Sequence, residues 1–302
     1  MAVNLIWQAP GRHYWEYHWL RFLLGDVDLV EHQDTTGDGF THHGRYKLIL
    51  PDAIVIDTGR FSLSNDRRKY NELLEQRLAY FHEFTRQGCR VGLIHISDET
   101  GNDLPVEAYA SFRFVLRNYL YPQFDALRHV RTIPLGYSGD GSAPAAGARN
   151  VSWSFMGTVW PGGPRTRMLQ AMLEIPGGFI HTTPHFAQGM VPAPAYRSML
   201  RRSLLCPAPR GDRTWDSFRL YEGLEAGCLP LVERADGYYR RLLGEHGLIE
   251  VGDWAEAARI ARDLLADRTT LEARRNACSD WWQSYKGRLV REIGELVRVH
   301  LT

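Results

Sequence analysis

The feature that most constrains the fold is a helix-length segment held between two short apolar runs. The first run, residues 203–206, ends at two prolines, which lack the N–H that a sheet ladder needs. A helix can then open at Asp216 or Ser217 and last about three turns until Gly227, before the second run over residues 228–232. Strands that are joined through a helix lie parallel, so this stretch predicts a strand–helix–strand unit of an α/β protein.

The predicted helix has two faces at 100° per residue. Leu220 and Leu224 lie on one side, whereas Arg219 and Glu222 lie towards the other. Backbone N–H groups near a helix N-terminus favour an anion, so Arg219 is suited to a nucleotide diphosphate and Glu222, one turn later, to its ribose. The alternative interpretation is an ion pair between Arg219 and Glu222 on a solvated face.

The segments around this helix resemble the donor-binding signature of the exostosin-like glycosyltransferases, family forty-seven and its relatives. They are Pro209-Arg210-Gly211, Ser217-Phe218-Arg219-Leu220, Glu222-Gly223-Leu224 and the run from Ala226 to Val232. Residues 93–99 and 133–137 are similar to the branch that includes the ribitol xylosyltransferases. The resemblance implies a GT-B fold, with two doubly wound Rossmann-like domains facing a central cleft. It also implies a nucleotide-sugar donor, most simply a UDP-sugar, with no cofactor and no bound metal ion.

A Gly-rich loop in the second half of the chain is the next candidate for donor binding. Residues 151–156 form a predicted strand that runs into Gly157, and Arg165 and Arg167 follow at the start of a predicted helix. Glycine lets the backbone approach a phosphate closely, but the spacing matches neither a dinucleotide fingerprint nor a Walker loop, so an ordinary strand–helix loop is the alternative. Resemblance to the family's Phe-x-Gly-x…Arg segment favours donor binding. The donor-binding prediction thus comprises Gly157, Arg165, Arg167, Arg210, Ser217, Arg219 and Glu222.

Two carboxylates follow a predicted strand in the first half of the chain. Residues 91–96 are apolar and lead directly into Asp98 and Glu99. The carboxyl ends of parallel strands are where ligands bind in open α/β sheets, although Asp98 can also cap a turn there. We therefore predict Asp98 as the general base, with Glu99 as second choice. His95 and Tyr137 lie in the two further resembling segments and are predicted on the acceptor side.

Composition agrees with two domains and names no charged partner. The chain has 302 residues, with 36 basic and 35 acidic side chains, so no net field recruits nucleic acid. Its four cysteines form no C-x-x-C and lie mostly in apolar surroundings, which favours reduced thiols. No apolar run is long enough for a membrane span or a signal peptide. We expect a cytoplasmic protein, with peripheral association at the inner membrane face left open.

Gly, Ala, Ser and Pro dominate residues 138–149, which predicts an interdomain linker. The predicted domains are an acceptor-side domain over residues 1–145 and a nucleotide-sugar-binding domain over residues 146–278. The end of the last helix, about residues 279–302, is predicted to join the first domain, as it does in GT-B relatives. Within the first domain, a helix is predicted around residues 109–118, with Arg113 and Arg117 one turn apart.

These features together predict an inverting glycosyltransferase that moves a sugar from the nucleotide-sugar to a hydroxyl of a glycan or polyol-phosphate acceptor. A base would take the acceptor proton while basic side chains stabilise the leaving diphosphate. Two alternatives share many of the features. One is a non-catalytic nucleotide-sugar binding module, and the other is a GT-B sugar-nucleotide epimerase or phosphorylase.

Overall fold

The computed structural model describes residues 2–9, 11–36, 43–58, 67–139, 148–185, 189–211 and 213–302. The chain divides into two compact units, each treated by itself below. Unit 1 is Met1–Pro134 with Gly287–Thr302, and unit 2 is Leu135–Lys286. The predicted linker, residues 138–149, begins shortly after the boundary between Pro134 and Leu135. Its residues 140–147 lie outside the described residues.

Unit 1 is built on a parallel sheet. Its elements are β1 (Val3–Trp7), α1 (Tyr17–Leu23), β2 (Leu29–Gln33), β3 (Thr35–Thr36), β4 (His43–Gly44), β5 (Ala53–Thr58), α2 (Arg67–Arg86), β6 (Val91–Ile96), β7 (Val115–Arg117) and β8 (Val130–Thr132). Among the described residues, six strands form the sheet in the order β2-β1-β5-β6-β7-β8, and each neighbouring pair is parallel. Strands β3 and β4 make a separate antiparallel pair.

The core of unit 1 explains why its central strands are continuously apolar. Every residue of β5 and β6 is buried, as expected for strands covered on both faces. Phe81 and Phe84 of α2 pack in the same cluster as Val55 of β5 and Leu93 of β6. The apolar stripe of α2 therefore lies on the sheet, which fixes both elements.

The helix predicted around residues 109–118 is wrong. A 3-10 helix, Val106–Ser111, comes first, and β7 follows it. Val115 pairs with Leu93 of β6 and is fully buried. Burial of an apolar run against a central strand outweighs the helical spacing of Arg113 and Arg117, because local propensity is a weak preference beside tertiary packing.

Unit 2 is built on a second parallel sheet. Its elements are β9 (Val151–Thr158), α3 (Pro164–Met172), β10 (Gly178–Thr183), α4 (Ala193–Arg202), β11 (Ser203–Pro207), α5 (Phe218–Glu225), β12 (Leu229–Glu233), α6 (Tyr238–Leu243), β13 (Ile249–Val251), α7 (Trp254–Ala266) and α8 (Arg268–Leu301). The strand order is β10-β9-β11-β12-β13 in the described residues. The predicted strand–helix–strand unit is confirmed as β11, α5 and β12. Helix α8 runs from unit 2 into unit 1.

Each sheet reverses its strand order at one point. In unit 2, β10 lies on one side of β9 and β11 on the other, so the reversal falls between the carboxyl ends of β9 and β11. In unit 1 it falls between β1 and β5. In open α/β sheets, ligands bind in the crevice at such a switch point, so these two strand pairs mark where a site is expected in each unit.

Candidate functional site

Arg219 lies at the switch point of unit 2. Its Nη2 donates to the backbone carbonyl of Met156, near the end of β9, at 2.9 Å. The guanidinium carbon lies 4.5 Å from the ring centroid of Phe155, and the Nε is buried with no hydrogen-bond partner among the described residues. The guanidinium is therefore held across the carboxyl end of β9, next to β11 and α5, and its Nε donor is unused by the described chain.

Gly157 makes room for this guanidinium. A Cβ built on Gly157 would lie only 2.1 Å from Nη2 of Arg219. Any side chain at this position would displace Arg219 from the end of β9. The sequence predicts that Gly157 lets the backbone approach a phosphate closely. In the structure the Arg219 guanidinium lies against this glycine, and the phosphate contact stays a prediction.

Glu222 lies one turn further along α5 and is bound by two hydroxyls. Its Oε1 accepts from Ser138 Oγ at 2.7 Å, and its Oε2 accepts from the Tyr196 hydroxyl at 2.6 Å. The pKa of Tyr196 is raised well above its ordinary value, mainly by burial and next by the neighbouring Glu222 carboxylate. Arg219 and Glu222 thus contact separate partners, and no ion pair joins them within the described part of the chain.

The loop between β11 and α5 is fixed by Asp216. Its buried carboxylate accepts from the Leu135 backbone N at 3.1 Å and from the Tyr221 hydroxyl at 2.6 Å. Burial raises the pKa of Asp216 to about 6, against an ordinary 3.8. Ser217, largely buried, is the N-cap residue of α5 but makes no side-chain capping bond. Arg210 is anchored through its backbone N to Glu233 Oε2, while its guanidinium carbon lies 5.6 Å from the Trp215 ring centroid.

Arg165 and Arg167 differ in their surroundings. Arg165 donates through Nη1 to the Thr158 carbonyl at 2.7 Å, and its guanidinium lies 5.0 Å from the ring centroid of Trp160. It therefore closes the loop that follows β9. Arg167 is exposed on α3.

Helix α5 lies very close to β11. A Cβ built on Gly223 would lie 2.8 Å from Cys206 Sγ, and Cys206 is completely buried. Burial raises the pKa of this thiol well above its ordinary value. The close contact helps hold the segment that carries Arg219 and Glu222 against the sheet.

In unit 1, Asp98 lies at the strand end where the sequence predicts it, but inside the protein. It is 1% exposed, and its Oδ2 accepts from Arg117 Nη2 at 3.2 Å. Its Oδ1 accepts from the Asp103 backbone N at 3.3 Å and from the Thr100 hydroxyl at 3.4 Å. The neighbouring Glu99 is only partly buried.

His95 belongs to a buried charged network that sequence reasoning missed. Its Nε2 lies 3.0 Å from Asp103 Oδ2, and its Nδ1 lies 2.7 Å from the Tyr109 hydroxyl oxygen. Arg77 Nη2 lies 2.7 Å from the same Asp103 oxygen and 2.6 Å from Asp57 Oδ2, and the Arg77, Asp57 and Asp103 side chains have no exposure. Burial alone would raise the pKa of Asp103, but Arg77 and His95 outweigh it and hold the value at about 2.

The sequence signal for this network was an arginine on the apolar stripe of α2, in line with Phe81 and Phe84, and a carboxylate inside the apolar β5. Tyr137, predicted on the acceptor side, is buried within unit 2, with the Lys286 ammonium 5.9 Å from its ring centroid.

A second group of polar residues, also missed, lies at the switch point of unit 1. The Tyr14 hydroxyl lies 2.7 Å from Thr58 Oγ1, at the end of β5, and 2.5 Å from Ser97 Oγ, and Ser97 donates to Glu16 Oε1 at 3.1 Å. Ser97 has a left-handed backbone, with φ of 63°, which is uncommon for a residue other than glycine. This left-handed residue turns the backbone directly after β6, and Asp98 and Glu99 follow the turn.

Comparison with known proteins finds similarity in structure but not in sequence. No family model matches the chain, and no curated protein is similar to it in sequence. T4 phage BGT, solved in complex with UDP-glucose, is 9% identical with a TM-score of 0.55, over 100% of this chain and 99% of that chain. Anabaena HepE, solved with UDP and glucose, is 11% identical with a TM-score of 0.57, over 98% of this chain and 100% of that chain.

An α1,3-fucosyltransferase is also similar, at 8% identity and a TM-score of 0.50, over 96% of this chain and 90% of that chain. The exostosin-like resemblance is not confirmed by these matches and stays a prediction. Among the described residues, no helix combines the length and apolar character needed to cross a membrane. At such low identities the similarity shows the fold alone, and the chain accordingly has the GT-B fold, with two parallel-sheet Rossmann-like domains.

Proposed function

We propose that the protein is a glycosyltransferase whose unit 2 binds the nucleoside diphosphate of a UDP-sugar. The observation that carries this proposal is the Arg219 guanidinium, fixed across the end of β9 at the switch point of its sheet, with Nε unused by the described chain. T4 phage BGT and Anabaena HepE, which have a similar fold, were solved with UDP-glucose or UDP. Their ligands support UDP-sugar as the donor to test first.

Arg219 and Glu222 would divide the donor between them. In glycosyl transfer the diphosphate leaves with developing negative charge, which preorganised N–H donors stabilise. Arg219 is anchored on a backbone carbonyl and not on a carboxylate, so its positive charge can act on the diphosphate. Arg210 flanks the same sheet edge. The Glu222 carboxylate already accepts two hydroxyls from the chain, which is the chemistry that a ribose offers.

For an inverting transfer, unit 1 would supply the general base, and Glu99 is now the better candidate of the predicted pair. Both Asp98 oxygens accept hydrogen bonds from the chain, and the group is 1% exposed, so an acceptor hydroxyl would have to displace internal donors to reach it. Glu99 is partly exposed next to it. We expect Glu99→Gln to lower turnover by about 10²–10⁴ with little change in UDP affinity. Asp98→Asn should act mainly by lowering stability, and the opposite pattern would restore Asp98 as the base.

The acceptor is proposed as a hydroxyl of a glycan or polyol phosphate, and transfer is proposed to need no metal ion. Activity should therefore survive EDTA. Loss of activity on chelation, with recovery on adding Mn²⁺, would contradict this part of the proposal.

The decisive experiment combines UDP binding with UDP release. UDP at about 100 times its dissociation constant should stabilise the protein by about 2.7 kcal/mol, which a thermal melt detects. Arg219→Ala should abolish this shift, whereas Arg202→Ala, whose Nε bonds the Asn150 side chain at an exposed position, is the matched control and should not. Incubation with radiolabelled UDP-sugars should then release UDP. Binding without release would favour a non-catalytic module, and no stabilisation by any nucleoside diphosphate would overturn the donor site.

A further inference from the structure

The Glu222 carboxylate is bound as a vicinal diol would bind it, by two hydroxyls of the chain itself. Ser138 Oγ donates to Oε1 at 2.7 Å and the Tyr196 hydroxyl donates to Oε2 at 2.6 Å, so each oxygen accepts one hydroxyl. A ribose presents the same pair of groups, two neighbouring hydroxyls. A carboxylate oxygen can accept more than one hydrogen bond, so a ribose hydroxyl displaces a chain hydroxyl only where it approaches the oxygen from the same direction.

The two chain hydroxyls are not equally secured. Tyr196 belongs to α4, which ends directly at β11, and its side chain is tied to a regular element of unit 2. Ser138 lies in the irregular segment after β8, between Gly136 and Gly139, whose φ values of 75° and 84° are open to glycine at little cost. Ser138 can withdraw from Glu222 through rotation about its own side chain, whereas the Tyr196 ring is packed against the apolar cluster that includes Leu200.

We propose that Ser138 competes with the donor ribose for Glu222, and that Tyr196 is the positioning residue that keeps the carboxylate aimed at the ribose. This inference rests on the proposed function, because it assigns the ribose of the donor to Glu222. It makes opposite predictions for two hydroxyls bound to one carboxylate. Removing the competitor should tighten donor binding, and removing the positioning hydroxyl should weaken it.

The test is calorimetric titration of UDP and of its 2′-deoxy and 3′-deoxy analogues. A net hydrogen bond contributes about 0.5–1.5 kcal/mol, so Ser138→Ala should tighten UDP binding by about 2- to 10-fold. The gain should fall below about twofold for the analogue that lacks the competing ribose hydroxyl. Tyr196→Phe should weaken UDP binding by a similar factor, and less for that analogue. A general loss of structure would weaken all three ligands alike, so the analogues separate positioning from folding.

Ser198→Ala provides the matched control, because Ser198 is exposed on the same helix as Tyr196. This variant should bind all three ligands as the wild type does. Glu222→Gln should weaken UDP binding and remove the difference between UDP and the analogue. Unchanged or weaker UDP binding in Ser138→Ala, with Glu222→Gln impaired, would overturn this inference and leave the proposed function standing. Absence of UDP binding in the wild type would overturn both.

Discussion

The carboxyl edges of the two sheets use charge in opposite ways. In unit 1 the charged groups pair with one another inside the protein, and Arg77, Asp57, Asp103 and Arg117 have no exposure. In unit 2, Arg219 is bound to a backbone carbonyl and Glu222 to two hydroxyls. Charges that neutralise each other hold a fold together, whereas charges placed on neutral partners remain available to a ligand.

Arg77 should show the largest effect on this comparison. Replacing it with Leu leaves the carboxylates of Asp57 and Asp103 buried without their cation, which we expect to cost unit 1 about 3–5 kcal/mol of unfolding free energy. Arg219→Leu leaves no buried carboxylate unpaired and should cost unit 2 less than about 1 kcal/mol. Amide hydrogen exchange resolves each unit separately. Equal losses of unfolding free energy in the two variants would mean that the charged groups at both edges contribute to stability in the same way.

The pH dependence of stability should have opposite signs in the two units. The pKa of Asp103 is held at about 2, so its contribution is present above the ordinary value of 3.8 and lost as pH falls towards 2. The pKa of Asp216 is raised to about 6, so the folded state binds this proton more tightly, and unit 2 should lose up to about 3 kcal/mol as pH rises from about 4 to 6.

Asp216→Asn should abolish that decline, because an amide does not titrate in this pH range. The amide can still accept from the Leu135 backbone N and donate to the Tyr221 oxygen, so the loop should keep its anchor. Hydrogen exchange in unit 2 at several pH values between 4 and 7 measures this loss of stability, and unit 1 serves as the internal reference. A decline that persists in the variant would assign it to another group.

Gly157→Ala should sharpen the comparison by breaking the donor site without removing a charge. The new methyl group would lie 2.1 Å from Arg219 Nη2, so the guanidinium must leave the end of β9. We expect UDP affinity to fall by about 10- to 100-fold. Gly162→Ala is the control in the same loop, since a Cβ there meets nothing within 4 Å while its φ of 73° brings the backbone strain that an alanine in this loop can cause. Similar losses in both variants would mean that loop conformation, and not Arg219, sets the affinity.

The smallest effect separates Arg165 from Arg167. Arg165→Ala removes the bond to the Thr158 carbonyl and the contact with Trp160, which should loosen the loop and weaken UDP binding by about 3- to 10-fold. Arg167→Ala should change it by less than about twofold, because that side chain is exposed on α3. Isothermal titration distinguishes the two. A larger loss from Arg167→Ala would place the diphosphate beside α3.

What could be predicted from sequence follows the range of the interactions. The strand–helix–strand unit of unit 2 depends on apolar runs and on proline and glycine within a few residues, and it was predicted correctly. The partners of Glu222 are 84 and 26 residues away in the chain, so no local pattern indicates Ser138 or Tyr196. Asp98 was correctly placed at a strand end, but its partner Arg117 is 19 residues later, in a segment predicted as helix.

The close packing of α5 on β11 gives the protein a built-in chemical reporter. Cys206, against Gly223, and Cys228 are completely or nearly completely buried in unit 2, whereas Cys89 in unit 1 is only partly buried. A thiol reagent can reach Cys206 when α5 separates from the sheet, and burial keeps that thiol in its unreactive protonated form. The rate of Cys206 alkylation, relative to that of Cys89, therefore measures how often the segment bearing Arg219 and Glu222 opens in solution.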